Sequence, residues 1–201
     1  MALPRSPYYS VDEYLAMERE SATRHEYIDG HVYDMAGESL QHSRICINLA
    51  REVSNQLKGR GCEALSPNMK VRTSNSGLFS YPDLTVVCGE PRFLDSHKDV
   101  LVNPTAIFEV LSPSTEAYDR GEKFMRYRNF IETLVDYLLV SQIRPLIDHF
   151  VRRPDGQWLY SSVDELSGSV EIASIGCRLD LVEIYSRVDF PEVPPSSPDE
   201  R

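Results

Sequence analysis

Two acidic residues stand in apolar segments where a carboxylate is costly. Asp83 directly precedes the run of residues 84–88, and Glu109 lies inside the run of residues 106–111. Both runs are rich in Val, Ile and Phe, which predicts buried strands. A carboxylate in such a strand is destabilising unless it is paired or binds a cation. Two of them on neighbouring strands therefore predict a metal site.

The ligand type indicates which metal and which chemistry. Two carboxylates about 4 Å apart repel by about 4 kcal/mol at an effective dielectric near 20, and a divalent cation removes that repulsion. Oxygen ligands suit Mg²⁺ or Mn²⁺ better than zinc. Such a metal lowers the pKa of water and stabilises charge on a phosphoryl oxygen. A nearby Lys would hold the attacking water or the developing anion.

The elements that position these acids follow from local patterns. Ser10 and Glu13 form a capping box that should start a short helix, and Asp29-Gly30 favours the turn of a hairpin over residues 24–35. Apolar residues every four positions predict the longest helix over residues 39–58. Strands are predicted at 62–65, 69–73, 135–141, 146–152, 158–163 and near 170 and 177. A helix is predicted at about 116–130, a helical turn near 181–185, a loop at 74–77 and a surface loop at 90–103.

Several segments together resemble a known family. They are residues 25–30 (HEYIDG), 81–84 (YPDL), 109–115 (EVLSPST) and 137–142 (YLLVSQ). In this order they resemble the PD-(D/E)XK nuclease superfamily, and more closely its restriction-endonuclease-like family of bacterial proteins, over about residues 10–190. The resemblance implies an α/β restriction-endonuclease-like fold, with a central mixed β-sheet flanked by helices. It also implies Mg²⁺-dependent (or Mn²⁺-dependent) hydrolysis of DNA phosphodiester bonds.

The resemblance also implies roles for particular residues. Asp83 and Glu109 would be metal ligands, the backbone carbonyl of Val110 would complete the inner shell, and Glu26 matches an acid from an N-terminal element. Leu111 stands where the motif has its Lys. Related families move this Lys to the following helix, where this chain has Lys123, with Tyr127 four residues later. The resulting hypothesis is an in-line attack by water that Lys123 orients.

Each of these residues also has a structural interpretation. Asp83 after a proline is typical of a capped turn at a strand start, and the position of Glu26 also fits an ordinary hairpin residue. Lys123 forms an i,i+4 pair with Asp119, which is typical of a solvated helix face. On a helix, however, successive residues are rotated by about 100°, which places Lys123 beside the apolar stripe of that helix. From there its side chain could reach the edge of a sheet. The five histidines show no ligand spacing, so surface or core roles are the default for them.

Composition limits the function class. The 201 residues carry a formal net charge of −10, which opposes strong non-specific binding to a polyanion. The four cysteines form no C-x-x-C pair, so we expect reduced thiols of a cytoplasmic protein and no zinc site built from them. No apolar run comes near transmembrane length. We expect one domain over residues 1–190, followed by a disordered tail over 191–201.

Alternative functions and the assembly state follow from the same observations. A catalytically weak nuclease fold that binds nucleic acid or protein is the main alternative, since Leu111 replaces the motif Lys. Hydrolysis of a small phosphate ester is a third interpretation, which suits an acidic protein. A homodimer is expected if the substrate is duplex DNA, because cutting two strands favours two sites related by two-fold symmetry.

Overall fold

The computed structural model describes residues 7–35, 37–73 and 77–191. The first half contains α1 (Val11–Glu20), β1 (His25–Ile28), β2 (His31–Asp34), α2 (Leu40–Leu57), β3 (Cys62–Leu65), β4 (Lys70–Arg72), β5 (Leu78–Ser80), β6 (Leu84–Cys88) and β7 (Val100–Leu101). The second half contains β8 (Ala106–Leu111), α3 (Glu116–Tyr118), a π-helical turn (Asp119–Lys123), α4 (Phe124–Phe130), β9 (Asp136–Ser141), β10 (Ile147–Arg152), β11 (Trp158–Val163), β12 (Ser169–Ile172), β13 (Cys177–Asp180) and α5 (Leu181–Ile184).

A six-stranded mixed sheet forms the centre of the molecule. Its strand order is β11-β10-β9-β8-β6-β3, with β8 and β9 parallel and the other neighbours antiparallel. All six residues of β8 are buried, and side chains along a strand alternate between the two faces. Helix α2 packs on one face beside Phe108 and Val110, and α4 packs on the other beside Ile107 and Leu111. The predicted mixed sheet flanked by helices is confirmed.

A second sheet lies next to the first and carries the N-terminal hairpin. Its strand order is β2-β1-β5-β4-β7. Asp29 and Gly30 both adopt positive φ between β1 and β2, as a two-residue hairpin turn requires. Helix α1 begins at the predicted capping box, in which Ser10 accepts from the Glu13 amide and the Glu13 carboxylate accepts from the Ser10 amide. The hairpin places β1 where its side chains can reach the edge of the central sheet.

The segment 90–103 differs from the expected surface loop. Val100 and Leu101 form β7, which pairs in parallel with β4 at Lys70 and Val71. Both β7 residues are fully buried. A two-residue strand is too short to show a period in the sequence, and its pairing partner lies about thirty positions earlier in the chain, so only tertiary pairing defines it.

The cysteine prediction was wrong for two of the four residues. Cys62 and Cys88 lie opposite each other on the paired strands β3 and β6 and form a disulfide, whereas Cys46 and Cys177 are free. Directly opposed residues of antiparallel strands are close enough to be bridged. The pairing depends on a strand register that the spacing of the two cysteines does not reveal.

Some expectations concern parts of the chain without a structural description. The predicted disordered tail falls almost entirely on residues 192–201, and the predicted loop 74–77 falls largely on residues 74–76, both outside the described residues. Within the described ranges, no helix has the length and apolar character needed to cross a bilayer.

A partly buried ion pair between Lys70 of β4 and Asp99 stabilises the second sheet. This lysine is 5% exposed, and its Nζ lies 3.1 Å from Oδ2 of Asp99, which also accepts from Arg19. Although burial opposes the shift, hydrogen bonds from Arg19 and Lys70 lower the pKa of Asp99 from 3.8 to about 2. A depressed folded-state pKa stabilises the protein above the unfolded pKa, and this stabilisation is lost as the pH falls toward 2.

Asp99→Asn should therefore lower the free energy of unfolding at pH 7 by about 2 kcal/mol. Urea unfolding of both proteins would measure the difference, which should narrow as the pH falls from 4 toward 2. The exposed neighbour Asp95, which also pairs with Arg19, is the matched control, and Asp95→Asn should have a much smaller effect. Equal losses of stability in the two variants would contradict a special contribution of the Asp99 carboxylate, which Lys70 and Arg19 share.

Candidate active site

Both predicted acids lie near the point where β6 and β8 separate. The strands pair from Leu84 opposite Phe108 to Val86 opposite Ala106, so β8 extends beyond the start of β6. Asp83 occupies the gap, and its Oδ2 accepts a hydrogen bond from the Val110 amide at 2.7 Å. The carboxylate thus satisfies a backbone group that the sheet leaves unpaired. Asp83 therefore does cap the start of the strand, and the amide that it accepts from belongs to the residue directly after Glu109.

The carbonyl oxygen of Val110 lies at the same gap as its amide. The N–H and C=O of one residue in a strand leave on the same edge. Because the Val110 amide donates to Asp83, its carbonyl oxygen also faces the gap between β6 and β8. The predicted ligand set of Asp83, Glu109 and the Val110 carbonyl is therefore drawn from one small region at the end of these strands.

Glu109 is buried on the face of the central sheet that α4 covers. Its side chain is 5% exposed, and Oε1 lies 3.0 Å from Nζ of Lys123 and 3.2 Å from Oη of Tyr127. The Tyr127 hydroxyl is also 2.7 Å from Oγ of Ser80 in β5. Lys123 and Tyr127 therefore hold the Glu109 carboxylate directly, and Ser80 does so through Tyr127.

Lys123 is the centre of a buried acidic cluster. Besides Glu109, its Nζ lies 3.4 Å from Oε1 of Glu26 and 3.4 Å from Oδ1 of Asp119. Lys123 and Asp119 are 5% and 4% exposed. The i,i+4 pair is present as the sequence indicated, but the interpretation of a solvated face is wrong for this pair.

The backbone explains how Lys123 reaches the sheet. Residues Asp119–Lys123 form a π-helical turn between α3 and α4, in place of the regular helix expected over 116–130. Such single wide turns inside helices are often found at functional sites. The neighbouring i,i+4 pairs Glu116–Arg120 and Glu122–Arg126 also form, and they are partly exposed. The wide turn thus belongs to the segment that directs Asp119 and Lys123 toward Glu109.

The charges in this cluster are strongly coupled. Burial raises the pKa of Glu109 well above its usual value, although Lys123 opposes this change. Burial alone would lower the pKa of Lys123, but the carboxylates of Glu109 and Glu26 outweigh it and hold the pKa well above the usual value. Lys123 is therefore a protonated ammonium at neutral pH, suited to donating hydrogen bonds rather than to accepting a proton.

Glu26 comes from the other sheet. It lies in β1 opposite Tyr33 of β2, and its side chain points toward Lys123. Among the described residues, no three of the acids around Lys123 present oxygens within 4.8 Å of one another. The structure brings Glu26 into the cluster through Lys123, and the prediction that it is a metal ligand stays a prediction.

Sequence reasoning missed one residue at this site. His42 extends from α2, on the opposite face of the sheet from Lys123, and its Nε2 lies 3.4 Å from Oδ2 of Asp83. Although burial lowers the pKa of His42, its contacts with Asp83 and Glu38 outweigh burial and raise it. The four-residue spacing of Glu38, His42 and Cys46 in the sequence was the available signal, because it places His42 and Cys46 on one face of α2 with Glu38 just before the helix.

Gln142, which follows β9, has a structural role at the rim of the site. Its amide nitrogen donates to the Leu111 carbonyl at 2.9 Å, and its Oε1 accepts from Ser39, the N-cap of α2. These bonds tie the end of β8 to the start of α2. This link therefore lies at the start of the helix that carries His42.

The side chains present fit a divalent cation. Asp83, Glu109 and the Val110 carbonyl supply oxygen atoms at one gap in the sheet, and Mg²⁺ is commonly held by one or two carboxylates with water completing its shell. Burial and the charges of Asp119 and Asp83 disfavour the ionised form of Glu109, and a cation bound there would offset that cost. Asp83 is about one-fifth exposed, which leaves an approach from solvent.

Comparison with known proteins places this arrangement in a family. Residues 11–181 match the family described as "Uma2: Putative restriction endonuclease". The chain belongs to the Uma2 family. The match contains all the site residues named above, and the family description supports a nuclease-type function at the level of the family.

Two relatives and one solved structure are similar to this chain over most of its length. The uncharacterized protein slr1290 of Synechocystis sp. is 39% identical over 92% of this chain and 95% of its own length. The uncharacterized protein sll1609 of the same organism is 31% identical over 86% and 97%. A crystal structure titled as a putative nuclease of DUF820 from Anabaena variabilis matches with a TM-score of 0.73 at 17% identity, covering 89% of this chain and 98% of that one. The structural match supports the Uma2 fold.

The buried cluster predicts a large stability effect for Lys123. Lys123→Ala removes the cation that three carboxylates surround, so the free energy of unfolding at pH 7 without metal should fall by about 3 kcal/mol or more. Chemical denaturation in the presence of a chelator would measure the change. Lys58, exposed at the end of α2, is the matched control, and Lys58→Ala should change stability by about 0.5 kcal/mol or less. Similar unfolding midpoints for the two variants would show that the cluster is not held by Lys123.

Proposed function

We propose that this Uma2 protein is a metal-dependent endonuclease that hydrolyses DNA phosphodiester bonds with Mg²⁺ or Mn²⁺. The observation that carries the proposal is the 3.0 Å contact between the Lys123 ammonium and the buried Glu109 carboxylate. The chain lacks the motif lysine, because Leu111 stands in its place. Lys123 restores an acid–acid–lysine set from the following helix, and that set is what this class of hydrolysis requires.

Each residue has a distinct role in the proposed reaction. Asp83, Glu109 and the Val110 carbonyl would hold the cation, with Glu26 as an additional acid. The bound cation would supply charge neutralisation at the phosphate and a lowered pKa for water. Lys123 would donate hydrogen bonds to the attacking water or to a phosphoryl oxygen, since its raised pKa keeps it protonated.

The surrounding contacts keep these groups in position. Tyr127 donates to Glu109, and the Val110 amide donates to Asp83, so each carboxylate keeps one oriented oxygen. Side chains held by several partners lose little further freedom in the reaction, which favours catalysis by preorganised charge. Duplex DNA would also favour a homodimer, since two symmetric sites can cut both strands.

Two other functions proposed from the sequence predict different results. A catalytically weak binding module would bind nucleic acid without metal-dependent cleavage. A hydrolase of small phosphate esters would require the same metal but would prefer a small ester to DNA. A net charge of −10 opposes binding of a polyanion such as DNA more than binding of a small ester. Comparing the cleavage rates of plasmid DNA and a chromogenic phosphodiester would therefore distinguish the two substrates.

The metal ligands can be tested with isosteric substitutions. Asp83→Asn and Glu109→Gln remove one charge each while keeping hydrogen-bonding groups, so each should abolish measurable Mn²⁺ binding by calorimetry and cleavage of supercoiled plasmid. Glu63→Gln is the control, because Glu63 is an exposed acid on the edge strand β3. Wild-type Mn²⁺ affinity in both site variants would contradict the proposed metal site.

The lysine can be tested by its rate effect. A group that acts on the water and the transition state should affect the cleavage rate more than metal affinity. Lys123→Ala should therefore lower the single-turnover rate at saturating Mg²⁺ by about 10²-fold or more without weakening Mn²⁺ binding. Lys123→Arg should recover little of the rate, because a planar guanidinium does not replace a compact ammonium.

These measurements are interpretable only for folded protein, so circular dichroism should accompany each rate. Equal rates for wild type and folded Lys123→Ala would remove Lys123 from the reaction. Absence of plasmid cleavage by the wild type with every divalent metal tested would favour the binding-module alternative.

A further inference from the structure

A second group of potential metal ligands lies on the other side of Asp83. Glu38, His42 and Cys46 occur at intervals of four residues, just before and within the first two turns of α2. One ligand atom from each lies within 4.8 Å of the other two, and within the described residues this is the one such group of three. It combines carboxylate, imidazole and thiol donors, which is a different set from the all-oxygen site proposed for Mg²⁺.

The distances within this group suit a tetrahedral ion. Nδ1 of His42 lies 3.1 Å from Oε2 of Glu38 and 3.4 Å from Sγ of Cys46. Zinc bonds of about 2.0–2.3 Å in a tetrahedral arrangement separate neighbouring ligand atoms by about 3.4–3.6 Å. These two separations need changes of only a few tenths of an ångström to accommodate the ion, and the ligand atoms of Glu38 and Cys46 lie within 4.8 Å of each other.

The other nitrogen of His42 supplies an independent feature of metal sites. Its Nε2 lies 3.4 Å from Oδ2 of Asp83, which in turn accepts from the Val110 amide. A histidine that binds metal through one ring nitrogen commonly donates the other N–H to a carboxylate, which fixes the ring orientation. Asp83 supplies a carboxylate at ion-pair distance from this nitrogen of His42.

The surroundings also permit entry of an ion. Glu38 is about half exposed, whereas the His42 side chain is 14% exposed, so the group opens to solvent on one side. Cys46 is one of the two free cysteines, and the disulfide does not involve it. The other free cysteine, Cys177, is buried in the core cluster beneath α2.

We propose that Glu38, His42 and Cys46 form a zinc site with three protein ligands and a fourth position for water. Zinc prefers nitrogen and sulfur donors, and Mg²⁺ does not, so the chain would hold two chemically different ions on opposite sides of Asp83. On binding, the Cys46 thiol loses its proton to solvent and becomes the thiolate ligand. The ion would lock the His42 ring against Asp83 and so link α2 to the proposed catalytic acids.

The test uses the full chain, stripped with a chelator and kept without reductant so that Cys62–Cys88 stays bonded. Titration of Zn²⁺ against a chromophoric chelator should give one site per chain. Cys46→Ser and His42→Ala should each weaken Zn²⁺ binding by more than the roughly 10- to 100-fold that loss of an indirect contact costs. Replacement of Zn²⁺ by Co²⁺ should give a sulfur-to-cobalt charge-transfer band in the wild type that Cys46→Ser lacks.

Two controls separate this site from the nuclease proposal and from the other thiol. Glu109→Gln should keep wild-type Zn²⁺ affinity even though it should lose Mn²⁺ binding. Cys177→Ala should also keep both the affinity and the cobalt band. A wild-type cobalt spectrum without the thiolate band, or unchanged zinc affinity in Cys46→Ser, would overturn the proposal. The cobalt spectrum of the wild type decides the matter even if a variant fails to fold.

Discussion

The arrangement of the site depends on one buried ammonium group. Lys123 is almost completely removed from solvent, and three carboxylates surround it at 3.0 to 3.4 Å. A buried lysine without these partners would be strongly destabilising, and so would three neighbouring carboxylates without the lysine. The π-helical turn, the N-terminal hairpin and β8 must therefore be correctly placed at the same time. This mutual requirement links the second sheet to the central sheet at the proposed catalytic centre.

The gap between β6 and β8 lets both layers of the protein contribute to one site. Neighbouring strands normally satisfy each other's backbone hydrogen bonds, but the pairing of β6 with β8 stops at Leu84. The Val110 amide therefore donates its hydrogen bond to the side chain of Asp83 instead. Lys123 and Tyr127 approach from the face covered by α4, and His42 approaches from the face covered by α2. Asp83 lies between the two faces, which is why it contacts groups from both the proposed magnesium site and the proposed zinc site.

The prediction from sequence succeeded where the signal was local. The capping box at Ser10, the hairpin turn at Asp29-Gly30 and the long amphipathic helix are set by residues within a few positions of one another. The mixed sheet and the adjacency of the Asp83 and Glu109 strands were also correct, because buried strands and the family resemblance indicated them. It failed for the disulfide and for β7, whose partners lie 26 or more positions away in the sequence.

The sequence by itself determined the family, the mixed-sheet fold and the residue types available for chemistry, because apolar runs interrupted by acids have few stable solutions. Only the tertiary structure decided which groups meet. The i,i+4 pattern of Asp119 and Lys123 is the same on a solvated helix and on a buried one, and the wide turn and the packing against β8 make it buried here. His42 likewise needed the packing of α2 on the sheet to reach Asp83, since forty-one positions separate them in the sequence. Burial and long-range contact are properties of the folded chain, which is why local spacing could propose these residues but could not place them.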